Sequence, residues 1–254
     1  MNSSSLFLVA FKQYFTRLTR DPFGLAIFTG LPVLLVVILG MVYTQNATEE
    51  IYHNGYNMAN TYIGTGMLLM FLSMSGIYLL NYLDFDFNKN MKWRLRSLPC
   101  STHILVFAAT VACTVFMIIQ GVLVVGITTF FLDAYWGNIG VTLSVVILMS
   151  IFSMFLNIIL FFYVKNLRIA ETFAWGIAWG MGVFGGLMFD LPNNAFFTFM
   201  REYGTPYALG HKAIMSSGFI EPSYTNVWIG LIGLFLIVVL FGLLVALLGR
   251  RKLA

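Results

Sequence analysis

The sequence predicts an all-α protein integral to a membrane, and three observations predict it. Hydrophobic residues make up 59% of the 254 and charged residues only 9%, against about 25% charged in a soluble domain. So few charges cannot cover a water-facing surface. Apolar runs long enough to cross a bilayer, about 20 residues each, recur along the chain, whose length suits five to seven spans, about six by the runs themselves, and leaves little room for a separate globular domain. Of the 14 Lys and Arg, all but Arg201 and Lys212 fall in segments on one side of those spans. The positive-inside rule assigns that side, and both chain ends, to the cytoplasm. The net charge of +4 therefore reads as topology, and nucleic acid is not an expected partner.

Each element follows in order. Residues 6–20 place Phe7, Phe11, Tyr14, Phe15 and Leu18 on one helical face and Lys12, Gln13, Thr16 and Arg17 on the other, the pattern of an interfacial helix. Lys12, Arg17 and Arg20 follow the apolar stretch instead of preceding it, which is not the pattern of a cleavable signal. Asp21-Pro22 breaks the helix. Span 1 is expected over 23–43, with a kink at Pro32. The polar stretch 44–57 holds Glu49, Glu50 and His53 but no Lys or Arg, so it lies outside. Span 2, over 58–83, leads into the most charged segment, Asp84 to Arg96. Span 3 covers 103–131, and the turn Asp133 to Asn138 precedes span 4 at 139–164. Lys165 and Arg168 put the next loop inside, ahead of a glycine-rich span 5 at 169–189. The aromatic stretch 191–223 is interrupted by Gly204, Pro206, Gly210, Gly218 and Pro222. It reads as short re-entrant helices in the outer leaflet, a broken backbone tolerated only under a cover of protein. Span 6, over 224–248, stops at Arg250, Arg251 and Lys252.

Chemistry that is missing narrows the function. No span has Asp, Glu, Lys or Arg near its middle, which disfavours a proton- or sodium-coupled carrier. Gln120 and Asn157 are the main polar side chains at depth, read as interhelical hydrogen-bonding groups. His53, His103 and His211 fall on different loops without metal-binding spacing. Cys100 and Cys113 lie in different environments, one cytoplasmic and one apolar, and read as separate thiols. Neither a Gly-x-Ser-x-Gly elbow nor a Walker A loop occurs. No catalytic residue, metal site or cofactor is therefore expected on this chain, and ATP-driven work would need another subunit.

Residues 84–98 interleave Phe85, Phe87, Met91, Trp93 and Leu95 with charges. Such a segment reads either as a solvated loop that enforces topology or as a short helix parallel to the membrane. Ser97-Leu98-Pro99-Cys100-Ser101-Thr102, a proline stop followed by capping residues, favours the helix. In this order of parts the chain resembles the permease subunits of ABC-2 type ATP-binding-cassette exporters. The carriers of the resemblance are a basic amphipathic elbow helix entering span 1 at Asp21-Pro22, a charged coupling helix after span 2 and the signal Leu98-Pro99-Cys100-Ser101. Leu191-Pro192 and Thr205-Pro206-Tyr207 in the broken stretch before span 6 add to it. It covers essentially the whole chain. Family members often have a Glu-Arg pair followed by glycine where this chain has Asp86-Phe87-Asn88-Lys89-Asn90.

The resemblance implies a homo- or heterodimer of six-span subunits in a bacterial plasma membrane, each resting on a cytoplasmic ABC ATPase that holds ATP and Mg. It implies that Asp84, Asp86, Lys89, Lys92, Trp93, Arg94 and Arg96 meet the ATPase, with Lys12, Arg17 and Arg20 on or near the same surface. It also implies that spans 2 and 5 line the route and that hairpins before span 6 close it outside. Trp175 and Trp179, one turn apart in span 5, either face lipid headgroups or line the path with Met67, Phe71 and Met74. Gly176 with Gly180, and Gly182 with Gly186, have the spacing of close helix contacts. An uncharged, aromatic and methionine-rich interior favours an amphipathic or lipophilic cargo, first an antimicrobial or toxin peptide or a drug. A polymer or lipid-linked glycan is the second choice. An ATP-independent channel or secondary carrier, and a non-transporting immunity or scaffold protein, are the rival functions.

Overall fold

The computed structural model describes residues 3–46, 52–53, 56–88, 102–187, 191–218 and 222–252. Helix α1 (Ser3–Thr19) ends just before Asp21, whose carboxylate accepts from the Gly24 amide at 3.1 Å. Pro22, with no N–H to lose, takes the first turn of α2 (Pro22–Leu25). A π-helical turn (Ala26–Gly30) then leads into α3 (Leu31–Asn46). The wide turn lies directly ahead of Pro32, where a missing N–H and the ring disturb the hydrogen-bond ladder, so the disturbance expected in span 1 takes this form. Beyond it, β1 (Tyr52–His53) and β2 (Tyr56–Asn57) pair antiparallel as a minimal hairpin.

Span 2 is two helices, α4 (Met58–Met74) and α5 (Ile77–Phe87), separated at Ser75-Gly76. The second continues beyond the expected end at Leu83 and carries Asp84 and Asp86 into the helix, where both are buried. Helices α6 (Thr102–Leu132) and α7 (Ile139–Tyr163) keep close to their expected bounds. Helix α8 (Leu167–Phe184) stops short of residue 189 at Gly185-Gly186, where Gly186 has φ +68°, a conformation glycine adopts without strain. The interrupted stretch holds α9 (Ala195–Phe199), a π turn (Met200–Gly204) and α10 (Pro206–Ser216), and α11 (Tyr224–Lys252) closes the order.

Among the described residues, five stretches are long and apolar enough to cross a membrane: Pro22–Val42, Met58–Phe87, Thr102–Leu132, Ile139–Tyr163 and Tyr224–Arg250. The fifth expected span, α8, is not among them; Arg168, Glu171 and its small residues lower its apolarity. The protein is an all-α, multi-pass membrane protein.

Span 2 stands at the centre. In its most apolar window 89% of residues are buried in protein, against 17% for span 1 and 11% for span 6. Its first half touches α3, α6, α7, α8 and α10. Of the broken stretch before span 6, α10 is covered by protein: it lies against α11, α7 and α4, with Tyr207, Leu209, Ala213 and Ile214 buried, whereas α9 and the π turn leave Phe196, Phe199 and Tyr203 exposed. The apolar face of α1 rests on α6, with the Phe7 ring against Phe107 and Phe15 against Phe116. Protein therefore receives the face that the sequence alone assigned to lipid.

Candidate coupling site and transport path

The foot of span 2 is tied to two other elements by polar contacts. Asp86 points inward from α5, accepts the Tyr14 hydroxyl at 2.5 Å and lies 3.5 Å from the Arg17 guanidinium. Tyr14 and Arg17 belong to α1, a little under one turn apart, so both reach one carboxylate from the same helical face. The guanidinium also lies over aromatic rings, 4.5 Å from the centroid of Tyr82, 5.3 Å from Phe85 and 6.0 Å from Tyr14. Such stacking holds a cation where water is scarce. Burial pushes the Tyr14 phenol well above its ordinary value, and the Asp86 carboxylate adds to this. The hydroxyl is accordingly a fixed donor.

On the other side, the Asn81 amide donates to the Ile77 carbonyl in its own helix and, at 2.9 Å, to Glu171 of α8. Asp84 accepts from the Asn88 side chain at 2.9 Å, a C-terminal tie that closes the last turn of α5. The two Asp thus face inward, Asp86 toward Tyr14 and Arg17 and Asp84 toward Asn88. Lys12 is exposed on α1, and Arg20 is exposed just beyond its end. Lys89, Lys92, Trp93, Arg94 and Arg96 lie outside the described residues. Tyr14 and the Asn81–Glu171 pair were not anticipated, since each partner is distant in sequence.

The five path residues do not come together within one chain. Met67 and Phe71 are buried with Val36 and Ile63, against Leu35 and Leu39 of span 1, and Met74 lies in the main core. Trp175 and Trp179 are 38% and 47% exposed on the outer face of α8. The methionine side of span 2 thus meets span 1, while the tryptophans are open to whatever flanks α8. The small-residue contacts of α8 also differ from expectation. A Cβ added at Gly176 or Gly180 meets nothing; the stripe that packs inward is Ala170, Ala174, Ala178 and Gly182, one residue per turn.

The break in span 2 is locked by α7. Ser153 donates its hydroxyl to the Ser73 carbonyl at 2.7 Å, and Asn157 donates to the Ser153 carbonyl at 2.9 Å. A Cβ at Gly76 would overlap both Ser153 Oγ and Asn157 Nδ2. Asn157 therefore bonds within its own helix and packs on the notch of span 2 instead of bonding across. Gln120, also read as an interhelical group, has no hydrogen-bond partner among the described residues and borders the gap lined by Phe28, Pro32 and Ser75. Gly76→Ala is expected to displace Ser153 and Asn157 and cost about 1–3 kcal/mol, lowering the unfolding temperature of the detergent-purified protein. An unchanged temperature would show that the notch is not tightly held.

At the opposite end, the Tyr62 hydroxyl donates to the Gly186 carbonyl at 3.3 Å, and its ring stands edge-on to His211 at 4.8 Å. Lys212, one of the two cations that depart from the positive-inside pattern, lies 3.7 Å from Glu202 and 4.0 Å from the Tyr203 ring centroid. Its charge is answered locally, so it carries little weight in topology.

Helices of span length around a buried broken helix, with an amphipathic N-terminal helix pinned to the charged end of span 2, define a multi-pass membrane bundle. The profile of the family described as ABC-2 type transporter matches residues 5–219, and the chain belongs to that family. It is a permease component of an ABC-type transporter, and such permeases generally work with an ATPase subunit and dimerise. No curated protein matches the chain.

Proposed function

We propose that this chain is one half of an ATP-driven exporter in the bacterial plasma membrane, and that a separate ABC ATPase moves span 2 through residues 84–98. The observation that carries this reading is the double attachment at the foot of span 2, Asp86 to α1 and Asn81 to α8. A force applied to the segment that follows is thereby delivered to three helices at once. A loosely tethered loop would dissipate it.

In this reading α1 is the elbow helix, both termini are cytoplasmic, and α8 with residues 191–223 completes a six-span unit whose short helices form the outer gate. Lys89, Lys92, Trp93, Arg94 and Arg96 contact the ATPase, the tryptophan as an anchor and the charges setting orientation more than affinity. Lys12 and Arg20 flank that contact, and Asp84, Asp86 and Arg17 position it from behind. The ATPase supplies ATP, Mg and all catalysis. A second permease, identical or homologous, faces α8, so that Trp175 and Trp179 border the path. Met67, Phe71 and Met74 form deformable packing behind it. The cargo is amphipathic or lipophilic, a toxin or antimicrobial peptide or a drug.

Changing Lys92, Arg94 and Arg96 together to Glu is expected to lower ATPase copurification and ATP-dependent transport in proteoliposomes by about tenfold or more. If both stay intact, residues 84–98 are not the handle. Transport by the chain alone under an ion gradient would favour a carrier, and ATPase stimulation by a glycolipid only would remove the peptide cargo.

A further inference from the structure

We propose that the cleft between α6, α7 and α11 binds an anionic glycerophospholipid, with its phosphate at Arg250 and an acyl chain between the helices. The cleft measures about 250 Å³ and is walled by Val106, Phe107, Phe155, Ile158, Phe162 and Val245. His103 and Thr110 of α6 both border it. Their separation is about 10 Å along a helix, so the cleft reaches roughly a third of the way through a hydrocarbon core of about 30 Å. Phe107 is 61% exposed, so the side is open to the bilayer.

The ionisable side chains are confined to the end where α6 begins and α11 ends. His103 and Arg250 stand there, and Arg251 and Lys252 follow in sequence. Among the described residues neither His103 nor Arg250 makes an ion pair, and no carboxylate lines the cleft. A guanidinium at the head of an apolar slot matches a phosphodiester joined to hydrocarbon. Free phosphate would leave the aromatic walls unused. Basic pockets between helices on the cytoplasmic side suit anionic headgroups on general electrostatic grounds. The leaflet assignment rests on the cytoplasmic placement of the termini proposed above.

The test uses the full chain, delipidated in detergent, with retained lipid counted by native mass spectrometry against phosphatidylglycerol, phosphatidylcholine and inorganic phosphate. The wild type is expected to prefer phosphatidylglycerol over phosphatidylcholine by about fivefold, the increment for one cation near a membrane surface. Arg250→Gln should abolish that preference and Arg250→Lys should keep it. Ala246→Trp, at an exposed position bordering the cleft, should weaken retention of both lipids. A preference that survives Arg250→Gln, retention untouched by Ala246→Trp, or displacement of phosphatidylglycerol by equimolar inorganic phosphate would each overturn the assignment. Equilibrium lipid retention requires neither ATPase nor cargo, so its failure leaves the transport reading intact, and failure of transport leaves this one intact.

Discussion

Asp86→Ala should release α1 from the foot of span 2. The substitution leaves the Tyr14 hydroxyl buried without its acceptor and the Arg17 guanidinium without its counter-ion. Breaking a fully buried pair costs about 3–5 kcal/mol, but the Arg17 side chain is 34% exposed and water recovers part of that. A loss of about 2–3 kcal/mol follows, equivalent to a rise of about 30- to 150-fold in amide exchange over residues 7–18. Tyr14→Phe removes one hydrogen bond and keeps the charge pair, so its effect should be about 1 kcal/mol. The exchanged pair Arg17→Asp with Asp86→Arg should recover part of the protection. Unaltered exchange in Asp86→Ala would mean that the aromatic packing of α1 on α6 holds the helix by itself. In an assembled transporter the same variant should hydrolyse ATP with less transport per ATP.

The second large effect is expected at Gly230. Helix α11 meets α10 there so closely that an added Cβ would lie 2.6 Å from the Leu209 carbonyl oxygen and 2.9 Å from the Ala213 Cβ. Neither atom can swing aside, because one is backbone and the other a short methyl on a packed helix. Gly230→Val must therefore push α10 away, exposing Tyr207, Ala213 and Ile214, at a cost of about 3 kcal/mol or more. The readout is labelling of Ile214→Cys, in a background without Cys100 and Cys113, by a membrane-impermeant maleimide. The introduced thiol should be protected while Gly230 is kept and labelled once Gly230→Val is added; equal protection in the two backgrounds would contradict the packing. Gly176→Leu is the contrast, since nothing stands near its Cβ. Fold stability should change by less than about 0.5 kcal/mol, and any transport defect would then report a neighbouring subunit.

The apolar runs and their breaks were legible because they depend on local composition: Asp21-Pro22, the turn ahead of span 4 and the long run of α6 each announce themselves within a few residues. Contacts across the chain were not. Asp84 and Asp86 resemble the start of a solvated segment, and only an aromatic helix far earlier in the chain, separated from Asp86 by 72 positions at Tyr14 and 69 at Arg17, converts Asp86 into a buried partner. Span 2 is apolar on nearly every side, so no periodicity marks which face Met67 and Phe71 present, and packing against span 1 decides it. In α8 the glycine pair and the alanine stripe have the same spacing. The protein interior selects the alanines. Arg168 and Glu171 make this helix weakly apolar, which is why a glycine-rich run that reads as a span falls below the other five in apolarity.

The break in span 2 also bears on the order in which the protein is made. The Ser73 carbonyl loses its helical partner at Ser75-Gly76 and is served by Ser153, 80 residues later in the chain. Until that second segment leaves the ribosome, a backbone acceptor at membrane depth has no mate, and span 2 is less apolar than spans 1, 3, 4 or 6. Its residence in lipid is thus provisional during synthesis. Span 4 completes it, which makes the insertion machinery, or the early spans held together, the natural shelter for the half-built permease.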